Sequence, residues 1–138
     1  GNGCIGRNIP TLMFDNFMQQ EPAIKEYYEL LKQPVITYGS DVKKMTGNDA
    51  VDAFKPAVVI GCWVTQKWYP GCKDGNVLGV NEMDFKGKIK KYIVVGNEMV
   101  HGHKEILGRI PYKTYKFDWL LSRSVYPEKN IIYEFNFK

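Results

Sequence analysis

Cysteine, histidine and long apolar runs are all scarce in this sequence. The 138 residues include three cysteines and two histidines. Cys4, Cys62 and Cys72 are an odd number without C-x-x-C spacing, which argues against a disulfide framework and a zinc site. Apolar runs extend over only a few residues, and no charged-then-apolar leader precedes Gly1. The sequence therefore predicts no membrane span and no secretory signal, and it favours a cytoplasmic location.

A strong charge of either sign is also missing. The chain has 19 basic and 15 acidic residues and a formal net charge of +4, a mild excess that usually marks a solvated surface. Near the carboxyl terminus, however, aromatic residues lie beside lysines. They are Tyr112, Lys113, Tyr115, Lys116, Phe117 and Trp119. Strand packing is the ordinary interpretation of this segment, and single-stranded nucleic acid is kept as an alternative partner.

Short apolar segments alternate with helical patterns along the chain. This order predicts a mostly parallel α/β sheet with helices on both faces, in a single domain over residues 1–138. The predicted strands are Thr11–Phe14, Val35–Tyr38, Ala57–Trp63, Tyr92–Gly96, Tyr115–Phe117 and Ile131–Phe135. The strand Ala57–Trp63 is continuously apolar, so we expect it to be buried on both faces near the middle of the sheet. The last two strands are expected to pair antiparallel at one edge.

Helices are predicted between these strands. The segments run from about Glu21 to Lys32, from a cap at Thr46 or Asn48 through Phe54, from Asn81 toward Lys91, and from about His101 to Leu107. Pro22 suits the first turn of the first helix, and prolines follow the first two helices. The polar, glycine-rich segment Thr65–Gly79 is predicted to be a loop.

The first six residues, Gly1-Asn2-Gly3-Cys4-Ile5-Gly6, match the pattern G-x-G-x-x-G. Such a loop leaves a buried strand, turns tightly and presents helix N–H groups to a ligand. No strand stands before Gly1, and only eight residues separate Gly6 from Asp15. We therefore expect the first strand to lie upstream of residue 1 or to come from a partner chain.

The order of these features resembles the class I S-adenosylmethionine-dependent methyltransferases. That family has a seven-stranded sheet with a glycine loop after the first strand, an acidic residue after the second and an antiparallel last strand. The stretches Gly1–Arg7, Val59–Thr65 and Tyr92–Glu98 are most similar to small methyltransferase-like proteins of bacteriophages. The resemblance spans nearly the whole chain, and it implies a Rossmann-like methyltransferase sheet in a viral protein of the host cytoplasm.

The resemblance also implies S-adenosylmethionine as the cofactor, bound first by the glycine loop. Gly1, Asn2 and Gly3 would lie against its methionine carboxylate and ribose, and Gly6 would permit close helix packing. Asp15 would accept hydrogen bonds from the ribose hydroxyl groups. A turn at the end of a strand is the ordinary alternative for Asp15.

Four further residues would complete the implied cofactor site. Asp41 and Val42 would lie near the adenine, although a turn or a helix cap also explains an aspartate there. Cys62 and Trp63 would line the sulfonium end, where an aromatic face attracts positive charge. Plain core packing remains the alternative for Trp63.

Methyl transfer depends mainly on alignment of the acceptor, so few catalytic side chains are expected. His101, placed after the strand ending at Gly96, is the candidate general base. His101 and His103 have no third ligand nearby, so no metal site is predicted. The stretch Cys62–Thr65 stands where adenine and cytosine amine methyltransferases carry an Asn/Asp-Pro-Pro-aromatic motif, which disfavours methylation of DNA amines.

Methyl transfer to an unidentified acceptor is the predicted function. Two other classes stay open. One is a non-catalytic binding or virion-associated module that retains the methyltransferase fold, and the other is a nicotinamide-dependent oxidoreductase. The partner chain that would supply the missing strand is either another protein or a second copy of this chain.

Overall fold

The structure is a computed structural model that describes residues 4–72, 74–121 and 126–137. The chain divides into two compact units, residues 1–50 and 51–138, and each is described separately. The single domain over residues 1–138 stays a prediction. None of the helices in the described ranges is long and apolar enough to cross a membrane.

The first unit contains a small parallel sheet of two strands. Its elements are α1 (Cys4–Asn8), β1 (Met13–Asp15), α2 (Pro22–Leu30), β2 (Val42–Lys44) and the start of α3 (Gly47–Phe54). β1 and β2 are parallel, with Met13 opposite Val42 and Asp15 opposite Lys44. Gly6 packs directly on the side chain of Met13, so a larger residue there would separate α1 from β1.

Two helices of this unit, α2 and α3, begin as the sequence predicts. Pro22 occupies the start of α2, where its missing N–H has no intrahelical partner to lose. Thr46 caps α3: its Oγ1 accepts a hydrogen bond from the N–H of Asp49 at 3.2 Å and donates one to Asp49 Oδ2 at 2.6 Å. This arrangement is related to the capping box.

The second unit contains a mixed sheet of four strands. These are β3 (Val58–Cys62), β4 (Lys91–Asn97), β5 (Tyr112–Tyr115) and β6 (Asn130–Asn136), in the order β3-β4-β6-β5. β3 is parallel to β4, and β6 is antiparallel to both β4 and β5. The predicted antiparallel pairing of the last two strands is confirmed. The short helices α4 (Glu98–His101) and α5 (Glu105–Arg109) follow β4, and short 3-10 turns cover Glu82–Phe85 and Pro127–Lys129.

Alternate side chains of β4 and β6 supply the core of the second unit. Tyr92 and Val94 in β4 and Ile131, Tyr133 and Phe135 in β6 are buried, as the two-residue period of a strand requires when one face is covered. They pack with buried residues of α3, the 82–89 segment and α5, namely Val51, Phe85, Ile89 and Ile106.

The predicted Rossmann-like sheet with helices on both faces is wrong. The described strands form two separate sheets, one parallel pair and one mixed sheet of four, with few helices. β3 is an edge strand, and Val58 and Ile60 in it are 48% and 38% exposed. A short apolar run predicts a strand without specifying its neighbours, which is why the predicted central position of β3 fails.

Two smaller predictions are also wrong for local reasons. Residues 35–38 form no strand, because the N–H of Ile36 donates to the Gln19 side chain at 3.0 Å and the Tyr38 ring stacks on Phe17 at 4.0 Å. The helix expected from Asn81 toward Lys91 is only the turn Glu82–Phe85. Gly87 then takes a left-handed backbone, with φ of 77°, which a continuing helix does not allow.

Candidate functional site

The carboxyl ends of β3 and β4 lie at one edge of the second sheet because the two strands are parallel. Cys62 is opposite Val95, so Trp63 lies level with Gly96. The helix α4 starts directly after β4, and its last residue, His101, packs on Gly96, where a Cβ atom would lie 2.5 Å from Nδ1. The rings of Trp63 and His101 meet in a T-shape with centroids 5.5 Å apart. The structure thus brings together two of the residues predicted for the site.

Trp63 leaves the sheet with a left-handed backbone. Its φ is 57°, a conformation that costs about 1 kcal/mol or more for a residue with a side chain. Its N–H still donates to the carbonyl oxygen of Val95 at 2.8 Å, so the chain turns away only after this bond. The indole is 41% exposed, which leaves part of the ring open to a ligand.

Cys62 precedes Trp63 and is partly buried. Burial raises the pKa of its thiol. The thiol therefore stays protonated at neutral pH, and a protonated thiol is a poor nucleophile. Cys62 is placed to contact a ligand at this edge but not to attack one.

His101 is buried, with 1% of its surface exposed. The N–H of Asn97 donates to Nδ1 at 3.0 Å, and the carbonyl oxygen of Asn97 lies farther away, at 3.2 Å. Because an amide N–H can only donate and this contact is the shorter of the two, we assign Nδ1 as the acceptor and place the ring proton on Nε2. Burial, and next the charge of Lys104, lowers the pKa of His101 to about 4. The ring is therefore neutral at pH 7.

The other nitrogen of this ring has no hydrogen bond. Nε2 of His101 is buried and lacks a partner within the part of the chain that the structure describes. Buried polar atoms are nearly always hydrogen-bonded, and an exception in a folded protein calls for a ligand, a water or a functional reason. The T-shaped contact with Trp63 compensates only weakly for a missing hydrogen bond.

A cavity of about 510 Å³ lies beside this histidine. One side of its wall comes from the segment between β3 and Glu82. The other side comes from α4 and the residues that follow it. Besides His101, the polar members are Thr65, Gln66, Asp74, Asn76, His103 and Lys104. The loop predicted over Thr65–Gly79 thus forms one wall of a cavity at the carboxyl edge of the sheet.

Gln66 holds this loop in place. Its Oε1 accepts a hydrogen bond from the N–H of Glu105 at 2.8 Å, and its Nε2 donates to the carbonyl oxygen of Asp74. Single β-bridges join Gln66 to Val80 and Lys67 to Asn76. The loop is therefore tied both to itself and to the start of α5.

A buried charged network adjoins the cavity. Lys104 Nζ lies 2.7 Å from Glu82 Oε1, and both side chains are 3% exposed. The hydroxyl of Tyr92 donates to the same oxygen at 2.7 Å. Burial lowers the pKa of Lys104, and the attraction of Glu82 opposes that shift. Gly61 makes room for the network, since a Cβ atom there would lie 2.5 Å from the Tyr92 hydroxyl.

Sequence reasoning missed this network and the role of Asn97. Glu82 and Lys104 are 22 positions apart, and no spacing rule connects them. Asn97 did carry a signal, because an asparagine before a helical segment is a common N-cap. Its Oδ1 accepts from the N–H of Met99 at 3.0 Å, and its Nδ2 donates to Asn130 Oδ1 at 2.9 Å.

Asp15 and Asp41 lie in the first unit, at different levels of its sheet. Asp15 ends β1, and its Oδ1 accepts from the N–H of Phe17 at 2.8 Å. Burial, and next the Asp15 carboxylate, raises the pKa of Tyr38 to about 12. Asp41 precedes β2, and its two oxygens accept from Arg7 at 2.9 and 3.2 Å. The strand register separates the two aspartates by about 10 Å along the strands.

The turn at Asp15 and the ion pair at Asp41 each explain an aspartate without a ligand. The cofactor roles of both residues, and of the buried Val42 beside Asp41, stay predictions. Gly1, Asn2 and Gly3 lie outside the described residues. Among the residues described, no group of three or more His, Cys, Asp or Glu side chains is placed to hold a metal ion.

Comparisons with known proteins supply no family for this chain. No protein-family model, no curated protein and no solved structure matches it. The resemblance to methyltransferases therefore stays an inference from the sequence.

Proposed function

We propose that the chain binds S-adenosylmethionine and transfers its methyl group to an acceptor at the carboxyl edge of β3 and β4. One observation carries the proposal: Trp63 and His101 lie side by side at this edge, 5.5 Å apart, next to a cavity of about 510 Å³. Cavities of about 300–1,000 Å³ are typical of small-molecule sites. The exposed part of the Trp63 ring suits a sulfonium, because a cation over an indole face gains about 0.5–2 kcal/mol.

The bound cofactor would supply a methyl group that its sulfonium charge has already activated. The residues of the chain would then mainly align the acceptor and exclude water. Neutral His101 adds no positive charge that would repel the sulfonium. In the observed arrangement, its Nδ1 lone pair is taken by Asn97 and its Nε2 carries the proton. The predicted general-base role of His101 therefore requires the ring to turn or to change tautomer.

Calorimetric titration of the whole chain with S-adenosylhomocysteine, with NAD as a control, tests this proposal. We expect saturable binding of S-adenosylhomocysteine and none of NAD. Trp63→Ala should weaken the binding of S-adenosylmethionine about tenfold, which corresponds to about 1.4 kcal/mol, and should affect S-adenosylhomocysteine less, because that product has no sulfonium charge. The matched control is Trp119→Ala, because Trp119 is also exposed, at 68%, and lies outside the site. Equal affinities of the two variants would remove Trp63 from the site.

The same titration tests Asp15. Asp15→Ala should abolish binding if this carboxylate accepts hydrogen bonds from the ribose, since two hydroxyl donors would lose their acceptor. Asp118→Ala, a change at an exposed aspartate of the second unit, serves as the control. If the Asp15 variant binds with unchanged affinity, Asp15 has no role in the cofactor site and serves only to form the turn after β1.

A binding module without catalysis is the second candidate. The observation that favours it is the lack of a free lone pair on His101, which leaves the site without its predicted base. Binding of S-adenosylhomocysteine together with no transfer of a labelled methyl group to small acids, amines, peptides and oligonucleotides would support this candidate. Binding of NAD alone would instead favour the nicotinamide-dependent alternative.

A further inference from the structure

His101 and Asn76 each present to the cavity wall a hydrogen-bond donor that has no partner among the described residues. The first is the buried Nε2–H of His101. The second is the side-chain amide of Asn76, whose Oδ1 accepts from the N–H of Leu78 at 2.7 Å. That bond fixes the orientation of the amide and leaves its NH₂ group without a partner among the described residues. Both residues line the same cavity.

Most other polar groups of the wall are already engaged or exposed, although the hydroxyl of the partly exposed Thr65 shows no hydrogen bond to the described residues. Both ends of the Gln66 amide are hydrogen-bonded, and the Lys104 ammonium is held by Glu82 at 2.7 Å. Lys104 is one of the residues that line the cavity, and its side chain is buried against Glu82. The exposed Asp74 contributes one negative charge to the wall. A ligand in this cavity should therefore offer acceptors and carry little charge.

We propose that this cavity is a carboxylate-binding subsite in which the His101 Nε2–H and the Asn76 NH₂ group are the donors, and that the carboxylate belongs to the methyl acceptor. A carboxylate has two acceptor oxygens in one plane and a single charge, which matches two neutral donors beside a paired ammonium. A phosphate dianion matches less well, because the wall has no unpaired buried cation within the described residues and Asp74 repels a second charge. Only the link to the methyl acceptor rests on the proposed function.

Access to the subsite involves Trp63. Nε2 of His101 is buried, so a ligand atom reaches it only after a side chain moves. The Trp63 ring contacts the imidazole at 5.5 Å and is 41% exposed. A turn of this partly exposed side chain is the movement that the subsite would require.

Long-range ¹H–¹⁵N NMR of the histidine rings tests the subsite without any cofactor. We expect the free chain to show the tautomer with the proton on Nε2 of His101. Sodium acetate at constant ionic strength should shift this resonance saturably, while the exposed His103 serves as an internal reference. The subsite is rejected if the proton lies on Nδ1, if acetamide or sodium chloride produces the same shift, or if inorganic phosphate binds more tightly than acetate.

A conservative variant links the response to the cavity wall. Asn76→Asp keeps the oxygen that accepts from Leu78 but replaces the NH₂ donor by a negative oxygen. It should weaken acetate binding at least about tenfold, because a charge-assisted hydrogen bond is lost. Asn136→Asp adds the same charge at an exposed position at the end of β6 and should leave acetate binding unchanged. Equal affinities of the two variants would overturn the assignment of Asn76.

The two proposals fail separately. Binding of S-adenosylhomocysteine without any response to acetate would leave the proposed function standing and remove the subsite. A response to acetate without binding of S-adenosylhomocysteine would keep the carboxylate site and sever its link to methyl transfer. Replacement of His101 itself is a weaker test, because the side chain also accepts the N–H of Asn97.

Discussion

Each unit of the chain contains a long-range ion pair, but the two pairs have opposite environments. In the first unit, Arg7 and Asp41 meet at 2.9 Å with 49% and 37% of their side-chain surfaces exposed. In the second unit, Lys104 and Glu82 meet at 2.7 Å with 3% of each exposed. Exposed pairs usually contribute little to stability, whereas removal of one member of a buried pair leaves an uncompensated charge. Removal of one member of the ion pair is therefore expected to reduce stability much more in the second unit than in the first.

The same contrast holds for apolar burial. The core cluster of the chain consists of residues of the second unit. Val42 and Ala50 are the fully buried hydrophobic residues in the described part of the first unit. Apolar burial is the main favourable term in folding. The core of the second unit can therefore offset the cost of the strained backbone at Trp63 and of the buried polar side chains His101 and Lys104.

The largest effect is expected from Lys104→Met. The variant leaves the Glu82 carboxylate buried with the Tyr92 hydroxyl as its remaining partner among the described residues, which should cost about 3–5 kcal/mol in the free energy of unfolding. Urea denaturation at pH 7 measures the loss. The double variant Lys104→Met/Glu82→Gln removes both charges and should recover much of it. A loss below about 1 kcal/mol for the single variant would show that the pair is not buried as described.

A somewhat smaller effect is expected from acid, acting through His101. Its pKa in the folded state is about 4, below its usual value of about 6.5. The unfolded chain therefore binds the proton more readily, and the folded state loses stability as pH falls from about 6.5 to about 4. The full loss is about 3 kcal/mol, and none of it appears above pH 6.5.

Urea denaturation at several pH values isolates this contribution. His101→Gln should lose less stability between pH 7 and pH 4 than the unsubstituted chain does. His103→Gln, a change at an exposed histidine, should follow the unsubstituted chain. Parallel pH profiles of all three proteins would contradict the low pKa of His101.

An intermediate effect is expected from Tyr92→Phe. The variant removes a hydroxyl that donates to the buried Glu82 carboxylate at 2.7 Å, and hydrogen bonds to charged groups contribute about 1.5–3 kcal/mol. Tyr133→Phe is the matched control, because Tyr133 is also a buried residue and the structure shows no hydrogen bond of its hydroxyl to the residues it describes. Equal losses in the two variants would mean that the Glu82 network does not stabilise the fold.

Strand positions in the second unit were largely predictable from the sequence, but strand neighbours were not, and β2 in the first unit was not predicted. The apolar runs Tyr92–Gly96 and Ile131–Phe135 correspond closely to β4 and β6 because their alternate side chains enter the core. β3 was also located, yet its predicted central position is wrong. Which strands become neighbours depends on contacts between distant parts of the chain, and an apolar run contains no information about them.

In the candidate site, too, some features were predictable from the sequence and others were not. Trp63 was predicted at the end of its strand and His101 after the strand that ends at Gly96, and the parallel register of β3 and β4 explains why they meet. The network of Glu82, Tyr92 and Lys104 was not predictable, because a buried ion pair leaves no local pattern and charged residues are expected at the surface. The His101 tautomer depends on one backbone N–H of Asn97, which no residue pattern indicates.

The smallest effect is expected from Arg7→Met in the first unit. The exposed pair with Asp41 should contribute about 0.2–1 kcal/mol and less at high salt. Hydrogen exchange at the amides of Phe14 and Val42, at low and high salt, measures this local stability. A small loss would mean that Asp41 can exchange Arg7 for another donor at little cost, as its predicted role near the adenine requires. A loss close to that of Lys104→Met would instead assign Asp41 to the structure of the first unit and remove it from the cofactor site.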